Sequence, residues 1–81
     1  MTTWRVRSRA INETVRAQDQ WGAWNTLRNR PLADFGLLTV AIPNDNEAEA
    51  IPVHTATLMR RWDRLSDARL CDAVARDKGL L

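Results

Sequence analysis

One stretch constrains this chain more than any other: Asp34-Phe35-Gly36-Leu37-Leu38-Thr39-Val40-Ala41-Ile42. It is the most apolar run in the sequence and carries a charge only at its leading edge. That pattern predicts a strand over 35–42 buried on at least part of both faces. Leu38, Val40 and Ile42 would share one face, the one expected to meet the helices. Leu37, Thr39 and Ala41 would share the other. This second face is also fairly apolar, so a further element or a partner has to cover it.

Upstream, Thr3 to Ala10 alternates. Trp4, Val6, Ser8 and Ala10 point one way and Arg5, Arg7 and Arg9 the other. Period-two alternation predicts a half-buried strand with a row of guanidinium groups on its polar side, about 7 Å apart. Asn12 then offers a helix N-cap, with Glu13 in the first turn where the dipole favours an acid. Ala17, Trp21, Trp24 and Leu27 fall on one face of the resulting wheel. Gly22 lies on its polar side and is expected to cost up to about 1 kcal/mol relative to alanine. Pro31 stops this helix near Asn29.

Downstream of the apolar run, Pro43-Asn44-Asp45-Asn46 is a turn, and Glu47-Ala48-Glu49-Ala50 extends it as an acidic loop. Ile51 to His54 returns as a short strand, which Pro52 assigns to a sheet edge. Thr55 is placed to cap a helix with Leu58, Trp62 and Leu65 on one face. Ser66 is placed to cap a last helix with Leu70, Ala73 and Val74 on its apolar side. Lys78 sits near its end, Gly79 suits a left-handed stop, and Leu80 is expected to close a Schellman-type contact. The expected architecture is α+β, in the order β-α-β-β-α-α. A two- to three-stranded sheet would carry the helices on one face, in a single domain over residues 1–81.

Composition limits the chemistry. One cysteine, Cys71, makes no internal disulfide, and one histidine, His54, makes no zinc cluster. No apolar run is long enough to span a membrane, and the Arg-rich start is not followed by an apolar block, so a cytoplasmic location is expected. No phosphate-binding, helix-turn-helix or zinc-finger signature occurs. A Cys71–His54 nucleophile pair would need the fold to join two separate elements, with no oxyanion motif beside them. Neither a cofactor nor an enzymatic activity is expected.

Charge is small in sum, +2, but polarised along the chain. Residues 1–30 hold six arginines against Glu13 and Asp19, whereas residues 31–50 hold four acids and no base. Two arginine groups could meet phosphate: Arg5, Arg7 and Arg9 on the strand, and Arg60, Arg61 and Arg64 on a helix. Solvated faces, with some arginines paired internally, are the better explanation of both groups, and Asp63, Asp67, Asp72 and Asp77 follow the second, where acids would repel phosphate. The four tryptophans, Trp4, Trp21, Trp24 and Trp62, fit inner faces, with Trp21 nearest an edge.

Two blocks add a resemblance. Arg28-Asn29-Arg30-Pro31-Leu32-Ala33-Asp34-Phe35-Gly36-Leu37 and Thr55-Ala56-Thr57-Leu58-Met59-Arg60-Arg61-Trp62 resemble small uncharacterised proteins of actinobacterial phages. That resemblance implies an accessory protein that binds a host protein, and it supplies no catalytic residues. The leading expectation is a non-enzymatic interaction protein that docks on a host protein or on itself. Leu37 and Thr39, on the second strand face, are its contact candidates. The alternative is a nucleic-acid-binding module using Arg5, Arg7, Arg9, Arg60 and Arg64.

Overall fold

The computed structural model describes residues 1–79. Four strands form one antiparallel sheet: β1 (Thr2–Arg7), β2 (Asn12–Ala17), β3 (Leu38–Pro43) and β4 (Ile51–His54), in the order β2-β1-β3-β4. Three helices follow the chain as α1 (Gln20–Asn25), α2 (Thr55–Arg61) and α3 (Leu65–Asp77). The α+β class stands, and the sheet is one strand larger than expected. Pro52 does lie on an edge strand, β4.

The extra strand is β2, where a helix beginning at Asn12 was expected. As an edge strand it sends only Val15 and Ala17 toward the core, and Asn12, Thr14 and Arg16 stay exposed. Its period-two signal is therefore faint. The helix itself is short and begins at Asp19, whose carboxylate accepts the Gly22 amide at 2.8 Å. Ala17 lines up with Trp21 and Trp24 because the strand end and the helix abut the same core. Gly22 has a packing reason: a Cβ there would stand 3.2 Å from that of Ala17. The Trp4 indole ties this corner by donating to the Ala17 carbonyl.

Register decides which face of β3 is inside. Val6 stands opposite Ala41 and Arg5 opposite Ile42, and residues directly opposite share a face. Trp4 and Val6 face the helices, so Thr39 and Ala41 join them in the core and are fully buried. Leu38, Val40 and Ile42 lie on the arginine side, and Leu38 is 42% exposed. The expected faces are therefore exchanged. Both faces of this run are apolar, so hydropathy alone could not choose between them; the pairing with Trp4 and Val6 does.

The helices meet the core face through Ala23, Trp24, Ala56, Leu58, Met59, Ala68, Cys71 and Ala75. Between α2 and α3 the chain makes a full Schellman stop. The Arg64 amide bonds the Met59 carbonyl, the Asp63 amide bonds that of Arg60, and Asp63 takes φ 60°. This break resets the helical phase and turns Leu65 outward, at 56% exposure, against the expectation that it would join Leu58 and Trp62. Neither Thr55 nor Ser66 caps its helix; His54 and Arg64 hold the cap positions, and neither side chain accepts a first-turn backbone amide. In α3 the buried stripe is Ala68, Cys71 and Ala75, not Leu70, Ala73 and Val74. Small residues let α3 approach the domain closely, and the larger Leu70 and Val74 remain at its flank. Gly79 has φ 72° and ends α3 as expected, while the Leu80 contact lies outside the described residues.

Candidate docking surface

The acidic connection between β3 and β4 folds back over the arginine side of the sheet. Asn44 and Asp45 both take positive φ, and the Asn46 amide donates to the Pro43 carbonyl, closing a tight turn. Asp45 then accepts from Arg5 Nε at 2.7 Å, and Glu47 accepts from Arg7 at 3.0 Å. Ile42, opposite Arg5, is fully buried on this side. The hydrogen bond from Arg5 holds the Asp45 carboxyl below the usual carboxylate range and raises the guanidinium in turn. The basic and acidic segments read from the sequence are thus partners in one molecule.

The second arginine group is engaged in the same way. Arg60 pairs with Asp72 and Arg64 with Asp67. Arg64 also donates to the carbonyls of Arg28 and Arg30, closing the loop after α1. Arg30 bridges Glu13 and Asp34. Arg61 lies 4.2 Å from the centre of the part-exposed Trp21 ring, a cation–π stack. Of the five arginines named for nucleic acid, Arg9 alone makes no ion pair among the described residues.

Arg9 stands at the mouth of a different feature. The segment 32–37 and α3 enclose an open groove of about 700 Å³. Phe35 and Cys71 form its floor, Leu32 and Leu37 one wall, and Leu70 and Val74 the other. Arg9 and Lys78 are its charged lining residues, and among the described residues the lining contains no carboxylate. Leu70 is 54% exposed and Val74 36%, one helical turn apart on the same side of α3. Lys78 follows one turn further on. Phe35 packs beneath against Trp62, ring centres 6.1 Å apart.

The wall formed by 36–38 is held at nearly every backbone polar group. The Gly36 amide donates to Ser8 Oγ at 2.8 Å, and that hydroxyl donates to the Leu38 carbonyl at 3.0 Å. The Gly36 carbonyl accepts from the Thr55 hydroxyl at 2.6 Å, and the Leu37 carbonyl accepts the Thr55 amide. With its one proton committed to Gly36, Thr55 Oγ1 must accept from Thr39 Oγ1, 3.2 Å away. Both threonines are fully buried. Thr39 therefore fastens the wall from within and is not a contact residue; Leu37, half-buried in the wall, keeps a side chain on the groove.

His54 and Cys71 stay on separate elements, β4 and α3, with no hydrogen bond between them. Burial pushes the Cys71 thiol above its usual range, and Asp67 and Asp72 add to the shift. A neutral, buried thiol is a poor nucleophile. No group of three or more His, Cys, Asp or Glu among the described residues is arranged to hold a metal. No helix of the described chain is long and apolar enough to cross a membrane.

The groove was not legible from the sequence. Leu70 and Val74 fit the periodicity of a buried helix face, and Arg9 reads as the third member of a strand row that in fact ends at Arg7. The available signal was the competing stripe of small residues, Ala68, Cys71 and Ala75, on the same helix. The chain matches no protein-family model, and no curated protein or solved structure is significantly similar to it.

Proposed function

We propose that this chain is a non-enzymatic interaction protein that binds another protein through the groove between α3 and segment 32–37. One observation carries the reading. Within the two arginine groups, Arg5, Arg7, Arg60 and Arg64 each hold a carboxylate of the same chain and Arg61 stacks on Trp21, whereas Leu70 and Val74 stay exposed beside a preformed apolar groove. Exposed apolar side chains that cluster around a concavity mark interaction sites more than scattered ones do. The resemblance to small phage proteins makes a host protein the expected partner, met in the host cytoplasm. Stoichiometric occupation of that protein's surface is the mechanism.

Capture from an actinobacterial lysate with the tagged chain, with and without nuclease, tests this. The expected result is one host protein enriched equally in both arms. Ribosomal or chromosomal proteins that vanish with nuclease would mean that the arginines bind nucleic acid after all.

A further inference from the structure

The groove also specifies what it binds, an inference that rests on the docking role just proposed. We infer that its occupant is an acidic amphipathic segment of the partner protein, with apolar side chains that enter the groove and carboxylates that meet Arg9 and Lys78. Three features of the site lead there.

The first is charge. Among the described residues, Arg5, Arg7, Arg30, Arg60 and Arg64 each hold a carboxylate; Arg9, Arg16, Arg28, Arg61, Arg69, Arg76 and Lys78 do not, and of these Arg9 and Lys78 line the groove. Both are exposed, and both lie at the groove. Among the described residues the lining holds no acid, so carboxylates on a ligand would supply the complementary charge. The second is shape. Leu70 and Val74, one turn apart on α3, offer a ridge against which a partner helix can set residues at similar spacing. A space of about 700 Å³ over Phe35 accepts roughly two or three apolar side chains. The third is rigidity. Ser8 and Thr55 fix the opposite wall before any ligand arrives, so little ordering entropy opposes binding.

A membrane surface or a free fatty acid would share the carboxylate or phosphate but not the helical spacing. In a second copy of this chain the most acidic segment, 45–49, already has Asp45 and Glu47 held by Arg5 and Arg7.

The test uses the full chain and fluorescence anisotropy with short labelled helical peptides. One peptide carries leucines at i and i+4 flanked by glutamates. A second replaces the glutamates by lysines, and a third keeps the glutamates but scrambles the leucines. Only the first is expected to bind. Leu70→Glu and Arg9→Glu should each weaken it by about tenfold or more, as at interface hot spots. Arg16→Glu, on the exposed edge strand β2, should leave it unchanged. Leu70, Arg9 and Arg16 are all exposed, so the variants should keep the native circular dichroism.

Equal binding of the acidic and basic peptides would overturn the charge argument. Equal binding of the scrambled peptide would overturn the helical one. Displacement of the acidic peptide by laurate, with tighter binding of laurate itself, would make the site a lipid pocket and overturn the proposal. A concentration-dependent dimer abolished by Leu70→Glu would assign the groove to a second copy and overturn it too. If no peptide binds while a lysate protein is still captured, the acidic-segment inference fails and the docking role survives. If both fail, the docking role fails with it.

Discussion

Replacing Trp62 with alanine is expected to cost a large part of the stability of this domain, about 3–5 kcal/mol. Trp62 is nearly fully buried at the end of α2, where it packs on Phe35. Its indole donates to the Asn25 side chain at 3.0 Å, linking α2 to the end of α1. An 81-residue chain at about 0.05–0.15 kcal/mol per residue holds roughly 4 to 12 kcal/mol in total. The substitution would therefore bring the midpoint of urea denaturation, followed by circular dichroism, to a much lower urea concentration. Trp62→Phe keeps a ring on Phe35 and loses only a bond to the exposed Asn25, so its midpoint should lie between the two. Trp21→Ala, at a part-exposed position, should cost far less than Trp62→Ala. Equal losses at Trp21 and Trp62 would contradict the placement of the core.

Thr55→Val is expected to destabilise by about 1–3 kcal/mol, although valine matches threonine in shape. The cost comes from orphaned partners. The Gly36 carbonyl loses its donor and the buried Thr39 hydroxyl loses its acceptor. Thr39→Val should cost less, because Thr55 still donates to Gly36. In the double variant the Thr39 orphan disappears, so the combined loss should fall below the sum of the single losses. Urea denaturation of the four proteins measures that coupling. Strict additivity would mean that the two hydroxyls are not bonded to each other. Thr55→Val also frees the 36–38 wall, so it should weaken groove binding in molecules that remain folded.

How much of this was legible in the sequence depends on which interactions decide each feature. The strand at Trp4 and Val6, the turn at Asn44–Asp45, the edge strand with Pro52 and the Gly79 stop follow from local backbone chemistry and appear as expected. Charge polarity was also visible, but its meaning was not. Arg5 and Arg7 sit forty residues from Asp45 and Glu47, and only antiparallel pairing of β1 with β3 brings them together. The inner face of β3 depended on the same pairing. Phase was lost twice for a local reason that sequence hides: Asp63, a non-glycine residue, takes the left-handed conformation that ends α2, and β2 offers too few apolar positions to show its alternation. The groove inherits these misreadings. Its walls come from residues that hydropathy assigned to the core and from an arginine assigned to a strand.

The central claim is that this chain acts by docking through the α3 groove and not through its arginine-lined sheet face. The most direct measurement compares three tagged proteins on one actinobacterial lysate with nuclease present: the wild type, Leu70→Glu in the groove, and Arg5→Ala on the sheet. Quantitative mass spectrometry reads what each retains. The account predicts one protein held by the wild type and by Arg5→Ala and lost from Leu70→Glu. A protein held by Leu70→Glu and lost from Arg5→Ala would move the contact to the sheet face and contradict the account.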